Sequence, residues 1–181
     1  ESMEICFVPD NDYRGFLTQS KLVGVDPGDI VDLQGKVLGR HDGVAFYTIG
    51  QRRGLGLSSP EPLYVLELDA KLNRVVVGPV DALDKPSFII DRCNWIPFEH
   101  LKEPIEVTAK IRYNHPGTLA VVTPLEGQRA RVDLSVPQRA ITPGQACVLY
   151  QDDLVVGGGW ILKTCDPAPA EPVNVAQNAS L

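Results

Sequence analysis

Four cysteines are the side chains in this sequence best suited to nucleophilic chemistry. They lie far apart, no two form a CxxC pair, and the chain has only three histidines; the cysteines are Cys6, Cys93, Cys147 and Cys165. A structural zinc site is therefore not expected, and so low a cysteine content does not indicate a disulfide framework. Free thiols are typical of a cytoplasmic protein. A cysteine between apolar neighbours, as Cys6 is between Ile5 and Phe7, is most often a small buried side chain.

A glycine-rich loop from Gly50 to Gly56 presents two adjacent arginines. Arg52 and Arg53 follow Gln51 and are flanked by glycines, a composition that no regular element tolerates easily. Such a loop allows backbone and guanidinium groups to approach a phosphate closely. A solvated turn without a ligand explains the pattern about equally well, so both interpretations stay open.

A second cationic and aromatic group is predicted at the end of a strand, before the Pro116-Gly117 turn. Lys110 and Arg112 alternate along the predicted strand 105–113 and would share one face, with Tyr113 opposite them or at the turn. RNA-binding barrels hold phosphates and stack bases with residues of this kind. A solvated strand edge is the alternative.

No segment of the sequence is typical of a nucleotide phosphate site. Gly35-Lys36 is followed by Val37, where a phosphate-binding loop needs Ser or Thr. The triplet 157–159 precedes Trp160 within a predicted strand and indicates close strand packing. No cofactor and no metal are therefore expected to bind this chain.

The composition predicts an all-β protein. Of 181 residues, 44% are hydrophobic, and 15 prolines and 16 glycines favour short elements over long helices. No apolar run approaches the roughly 20 residues that cross a bilayer, and the N-terminus lacks the pattern of a secretory signal. We therefore expect no membrane partner and a cytoplasmic location. The net charge of −6 argues against indiscriminate nucleic-acid binding, and no DNA partner is expected.

Turn signals divide the chain into a small β-domain and a barrel. Two hairpins, 30–39 and 63–77, and a strand at 45–49 are predicted in a central β-domain spanning 21–80, followed by a linker at 81–85. Six short strands at regular spacing predict a closed six-stranded antiparallel β-barrel over 86–163, because closure removes exposed edges. The tail, 164–181, has little to bury and is predicted to be disordered.

Several ordered motifs, taken together, resemble the C-terminal half of the tRNA-specific 2-thiouridylases (the MnmA/TrmU family). The most specific is the run 46–56, Phe-Tyr-Thr-Ile-Gly-Gln-Arg-Arg-Gly-Leu-Gly, and the others are Glu-Ile-Cys-Phe-Val-Pro at 4–9, Leu-Gly-Arg-His-Asp-Gly at 38–43, Ala-Lys-Ile-Arg-Tyr at 109–113 and Thr-Pro-Gly-Gln-Ala at 142–146. The resemblance covers roughly residues 2–162.

The resemblance implies sulfur transfer to C2 of the wobble uridine of tRNA after ATP-dependent adenylation. Cys6 would carry the persulfide, and a sulfur carrier or cysteine desulfurase would be its donor. Arg112, Tyr113 and Gln145 stand at positions that contact tRNA in the family, and we add Arg52, Arg53 and Lys110 to the expected tRNA surface. Residues 1–20 would be the remnant of the N-terminal catalytic domain.

The adenylating domain's Ser-Gly-Gly-x-Asp-Ser loop is not found in the sequence, so the resemblance predicts a C-terminal part that is inactive alone and relies on ATP bound elsewhere in the full-length enzyme. A non-catalytic RNA- or protein-binding barrel, similar to those of translation factors, is the alternative. An enzyme that pairs Cys6 with His41 is a third and weaker hypothesis.

Overall fold

The computed structural model describes Gly15 and residues 24–166, which are mostly β-structure. Packing of Cα atoms divides the chain into two compact units. The central unit comprises the described residues up to Asp84 together with Gln138–Thr142, and the barrel unit comprises Lys85–Pro137 and the described residues from Pro143 onward. Within the described part, no helix is long and apolar enough to cross a membrane. The segment containing Cys6 and residues 167–181 of the predicted tail lie outside the described residues.

The central unit begins with the predicted hairpin of β1 (Gly28–Val31) and β2 (Val37–His41), which pair antiparallel. Its turn follows from one carboxylate: Oδ1 of Asp32 accepts the backbone N–H groups of Gln34 at 3.0 Å and Lys36 at 2.9 Å. Gly35 lies in the left-handed region at φ 81°, which glycine adopts without steric cost. The Asp32 carboxylate and Gly35 thus fix the turn of the predicted hairpin.

The second predicted hairpin, β3 (Tyr64–Asp69) and β4 (Arg74–Gly78), completes a four-stranded sheet in the order β2-β1-β4-β3. The two hairpins are joined by a parallel pairing of β1 with β4. The core of the unit is a cluster of buried apolar side chains: Ile30, Val44, Tyr47, Leu55, Val65, Val75 and Val77.

The strand predicted at 45–49 is wrong. Val44–Phe46 form a short 3-10 helix, with hydrogen bonds from the N–H of Phe46 to the carbonyl of Gly43 and from the N–H of Tyr47 to the carbonyl of Val44, both 3.1 Å. Val44 and Tyr47 are buried, and side chains three residues apart share a face of a 3-10 helix but not of a strand. Burial of this pair overrides the β propensity of the segment.

The second unit is a closed six-stranded barrel, as predicted, and the all-β fold class is confirmed. Its strand order is β10-β5-β8-β7-β6-β9. The strands are β5 (Asp84–Trp95), β6 (Ile105–Lys110), β7 (Thr118–Leu125), β8 (Arg129–Arg139), β9 (Ala146–Gln151) and β10 (Leu154–Cys165). Buried and exposed residues alternate along β7, as expected where one face of a strand points into a barrel.

The ends of the barrel segment differ from the sequence-based boundaries. β10 continues past Leu162 to Cys165, so Thr164 and Cys165 of the predicted tail are in a strand. The predicted linker 81–85 holds most of a 3-10 helix, Val80–Leu83, and the start of β5. Leu83 is buried, and its carbonyl accepts the N–H of Ala140 at 3.0 Å. Burial of the apolar side chain of Leu83 thus fixes a segment that is otherwise mostly polar.

Candidate RNA-binding surface

The Gly50–Gly56 loop of the central unit is fixed to strand β3 at its first residues. The N–H of Gly50 donates to the carbonyl of Val65 at 2.8 Å, and the N–H of Val65 donates to the carbonyl of Gln51 at 2.9 Å. Gly50, Gly54 and Gly56 all have φ between 65° and 88°, a region that side chains with a Cβ rarely enter. The glycines predicted to keep this stretch out of a regular element do so.

The side chain of Gln51 holds the loop from within. Its Oε1 accepts the N–H of Thr48 at 3.0 Å and its Nε2 donates to the carbonyl of Arg53 at 2.9 Å. Leu55 is buried in the core of the unit. The loop is therefore an ordered platform, and Gln51 has a structural role in it.

Arg52 and Arg53 are both exposed on this platform. Arg52 lines an open surface cavity of about 370 Å³, together with Leu57, Glu61 and Leu63. Among the described residues, no ion pair holds either guanidinium group. Two cationic side chains on an anchored loop can bind phosphate oxygens, and the tRNA contact expected of Arg52 and Arg53 stays a prediction.

The register of β6 and β9 brings the residues predicted on the barrel to one end of it. This end, with Arg112, Tyr113 and Gln145, is called the barrel edge. Lys110, the last residue of β6, pairs with Val148 of the antiparallel strand β9. Arg112 and Tyr113 follow β6, and Gln145 immediately precedes β9, so these side chains belong to the same end of the barrel. The structure thus unites residues that are more than 30 positions apart in sequence.

Arg112 and Tyr113 are not part of a strand, which corrects the prediction that Lys110 and Arg112 share a strand face. β6 ends at Lys110, and the N–H of His115 donates to the carbonyl of Arg112 at 3.3 Å in the turn that follows. Gly117 enters the next strand at φ 101°, and a Cβ there would lie 2.4 Å from Cγ2 of Thr108. The chain must turn before Gly117, which ends the strand earlier than periodicity predicts.

The turn leaves the tyrosine ring in solvent. Tyr113 is 99% exposed, although a tyrosine normally buries much of its ring. Arg112 and Gln145 are also exposed. At this end of the barrel the exposed ring can stack on a base, the guanidinium can bind a phosphate, and the amide can donate or accept hydrogen bonds at a base edge.

Lys110 lies on the outer face of the barrel next to this edge. Its Nζ is 5.1 Å from the centre of the Tyr150 ring, within the range of a cation–π interaction. The ring holds the ammonium group close to the barrel while leaving it partly exposed. Lys110 therefore adds positive charge near Arg112.

The described cysteines are poor nucleophiles. Burial, and next the charge of Asp91, raises the pKa of Cys93 to about 11, and burial raises that of Cys147 to about 12. Burial also raises the pKa of Cys165. All three are free thiols, Cys147 buried and Cys93 and Cys165 half-buried, and a thiol that stays protonated reacts slowly. Cys6 lies outside the described residues, so its predicted role stays a prediction.

His41 is part of the central unit's structure. It is 2% exposed, its Nδ1 accepts the N–H of Gly43 at 3.0 Å, and its Nε2 lies 3.2 Å from the carbonyl oxygen of Asn73. Because Nδ1 accepts, the ring proton belongs on Nε2 and is donated to Asn73. Both ring nitrogens are thus engaged, which leaves none for the proposed pairing of His41 with Cys6.

Sequence reasoning missed one aromatic side chain of the barrel surface. In the sequence Trp160 is marked only by the glycine triplet before it, yet 45% of it is exposed. The available signal was its place directly before the apolar Ile161 in a predicted strand, since neighbouring residues of a strand point to opposite faces.

Comparisons with known proteins match both units. A family model described as the tRNA methyl transferase PRC-barrel domain matches residues 15–79, and one described as the aminomethyltransferase beta-barrel domain matches residues 85–161. Among curated proteins, the tRNA-specific 2-thiouridylase MnmA 1 of Clostridium botulinum (strain Loch Maree / Type A3) is 48% identical over 90% of this chain and 46% of its own length.

Two further relatives agree. The tRNA-specific 2-thiouridylases MnmA of Magnetococcus marinus and Heliobacterium modesticaldum are 49% and 48% identical, over 90% and 92% of this chain and 45% and 44% of their own length. The chain therefore spans less than half the length of these relatives. With two consecutive family models and this level of identity, the chain belongs to the tRNA-specific 2-thiouridylase family, as a C-terminal part of it.

Proposed function

We propose that this chain is the tRNA-binding part of an enzyme that replaces the C2 oxygen of the wobble uridine with sulfur. The observation that carries the proposal is the β6–β9 register, which places Arg112, Tyr113 and Gln145 at one end of the barrel. It is supported by the relatives' names, which describe tRNA-specific enzymes.

Each side chain of this barrel edge has a distinct role in the proposal. The Arg112 guanidinium binds a phosphate oxygen with charge-assisted hydrogen bonds. The exposed Tyr113 ring stacks on an unpaired base, and the Gln145 amide reads a base edge or a ribose 2′-hydroxyl. Lys110 contributes charge beside them, and Arg52 and Arg53 form a second phosphate contact on the central unit.

Affinity for tRNA tests this assignment. We expect Tyr113→Ala to weaken binding of unfractionated tRNA by about tenfold, the loss typical of one stacked base, and Gln145→Ala to weaken it less. Lys102→Ala is the control, because Lys102 is an exposed cation just before β6 begins at Ile105, at the opposite end of that strand from Lys110. Equal affinity of all three variants in fluorescence anisotropy would contradict the assignment.

We further propose that Cys6 carries the persulfide whose terminal sulfur is transferred to uridine. Three of the four cysteines have raised pKa values and lie in barrel strands, which supports Cys6 as the reactive thiol by exclusion. A sulfur-carrier protein or a cysteine desulfurase would load the persulfide. The predicted cytoplasmic location is consistent with such partners and stays a prediction.

Substitution of Cys6 in an enzyme that spans the relatives' full length tests this role. Cys6→Ser should abolish thiolation while leaving tRNA affinity unchanged, because oxygen cannot carry the persulfide. Cys147→Ser is the matched control and should retain thiolation. Normal thiolation by Cys6→Ser would instead favour the non-catalytic binding module.

Neither glycine segment of the described residues has the form of an ATP phosphate loop. The glycine triplet 157–159 lies inside β10, and Gly35 and Lys36 form the turn of the first hairpin, so neither segment opens a helix that could receive phosphates. The adenylation that the family resemblance implies is therefore assigned to no residue described here. We expect the chain by itself to bind no ATP in calorimetry and to thiolate no tRNA.

A further inference from the structure

The indole of Trp160 lies on the outer surface of the barrel in the middle of β10. Trp160 pairs with Ala146 of β9 on one side and with Asp91 of β5 on the other. The neighbouring Ile161 is 2% exposed, whereas 45% of Trp160 is exposed. Its direct cross-strand neighbour on β9 is the small Ala146.

The glycine triplet before Trp160 explains its placement. A Cβ at Gly157, Gly158 or Gly159 would lie 2.4 to 2.6 Å from a carbonyl oxygen of a neighbouring strand, closer than packing allows. Pairing with β5 shifts register between Gly158 and Trp160. The close approach of the strands and this register shift together orient the Trp160 side chain toward the outer face of the barrel. The glycine triplet therefore positions the indole in addition to allowing close strand packing.

The guanidinium group of Arg92 lies over the same ring. Its Cζ is 5.5 Å from the centre of the Trp160 ring, and its Nε is 3.6 Å from Oδ1 of Asp91. Arg92 has φ 47°, a left-handed conformation that is uncommon outside glycine and costs energy. The strand thus keeps a strained residue at the position where a guanidinium meets an exposed indole.

Trp160 is continuous with the barrel edge of the proposed function. Ala146 directly follows Gln145, and the N–H of Ile161 donates to the carbonyl of Gln145 at 2.8 Å. The N–H of Gly144 donates to the carbonyl of Ile161, also at 2.8 Å. The segment that carries Gln145 is therefore hydrogen-bonded to the strand that carries Trp160.

We propose that Trp160 stacks on an unpaired base of bound tRNA and that Arg92 binds the phosphate of the same nucleotide. This nucleotide is adjacent to the one bound at Gln145. This inference rests on the proposed function and extends the RNA surface from β6 and β9 across β10 to β5. RNA fits better than a protein here because an exposed ring beside a cation matches a base beside its phosphate. The chain as a whole is negative, with a charge of −6, and Arg92 faces the Asp91 carboxylate, so the tRNA phosphate would replace this carboxylate as the partner of the guanidinium group.

Fluorescence reports directly on this contact. The chain has two tryptophans, Trp95 and Trp160, so Trp95→Phe leaves Trp160 as the sole indole. Unfractionated tRNA should quench its emission saturably, whereas inorganic polyphosphate, which has charge but no bases, should not. Quenching by polyphosphate to the same extent, or none by bound tRNA, would overturn the stacking proposal.

Affinity measurements separate the two side chains. Trp160→Ala should weaken tRNA binding about tenfold with an unchanged salt slope, and Trp160→Phe should restore most of the affinity. Arg92→Ala should reduce the slope by about one phosphate contact. Leu154→Ala is the control, because Leu154 is an exposed apolar residue of the same strand.

The outcomes distinguish this inference from the proposed function. If Tyr113→Ala weakens tRNA binding but Trp160→Ala does not, the barrel edge stands and the Trp160 contact is refuted. If the chain binds no tRNA, both proposals are refuted. Loss of affinity in Trp160→Ala with rescue by Trp160→Phe supports the contact, and failure of the rescue contradicts it.

Discussion

Replacing His41 with alanine tests whether the Leu-Gly-Arg-His-Asp-Gly motif is structural. The ring of His41 connects the end of β2 to Asn73, in the turn between β3 and β4, through Nε2, and it binds Gly43 through Nδ1. It also meets Tyr47 edge-on, with ring centres 5.8 Å apart. Alanine would remove all three interactions and leave a cavity in the central unit.

The expected loss in the free energy of unfolding is a large part of the stability of the small central unit. Leaving the buried N–H of Gly43 without an acceptor costs about 1–3 kcal/mol, and the carbonyl of Asn73 loses a donor worth about 1 kcal/mol. The lost edge-on contact with Tyr47 adds about 0.5–1.5 kcal/mol. We expect His41→Ala to lower the free energy of unfolding by about 3–5 kcal/mol, against the 5–15 kcal/mol typical of whole domains.

Urea denaturation followed by circular dichroism measures the loss, and hydrogen exchange of residues 28–78 locates it. His41→Asn should lose about half as much as His41→Ala, because the asparagine side chain offers an acceptor to the N–H of Gly43. His100→Ala is the matched control, since His100 is exposed, and should change stability by less than about 0.5 kcal/mol. A stable His41→Ala protein with unchanged exchange would refute the structural role.

Three further predictions concern the barrel. At pH 8, iodoacetamide should alkylate Cys93 and Cys147 slowly, because pKa values of about 11 and 12 leave only about one thiolate in a thousand and one in ten thousand. The alkylation rate, followed by mass spectrometry, should rise about tenfold per pH unit. Fast labelling at pH 8 would contradict the raised pKa values. Since these raised pKa values mean that the folded state holds its protons more tightly, their contribution to stability is complete below the ordinary thiol pKa of 9.0 and is lost as the pH rises toward 11–12. Asp133→Ala should cost the barrel about 2 kcal/mol, because the Asp133 carboxylate accepts the buried Ser87 hydroxyl at 2.6 Å and Nε of Arg131 at 2.8 Å, and an unchanged midpoint in urea would contradict this.

Local signals in the sequence predicted much of the fold. Turn signals at regular spacing predicted the strands of the barrel, and the Gln34-Gly35 turn predicted the first hairpin. The parallel pairing of β1 with β4 could not be predicted in this way, because it joins residues about 45 positions apart with no local signal. The Val44–Phe46 helix was missed because its formation depends on burial of Val44 and Tyr47 in the folded core.

The site was predicted in part by residue type and in part by resemblance. The Gly50–Gly56 loop follows from its glycines, whereas Gln145 entered only through the family motif, since an isolated glutamine carries no local signal. Its position beside Arg112 and Tyr113 is a consequence of the β6–β9 register. Arg92 could not have been found from sequence, because its place over Trp160 depends on how β5 and β10 pair.

The salt dependence of tRNA binding by the Arg112→Ala variant tests the central claim most directly. The claim is that the barrel edge formed by Arg112, Tyr113 and Gln145 holds tRNA, with Arg112 on a phosphate. We predict that wild-type affinity falls steeply with salt, and that Arg112→Ala binds more weakly with a log–log slope reduced by about one, while Lys102→Ala keeps both affinity and slope. An Arg112→Ala protein with the affinity and slope of the wild type would contradict the account.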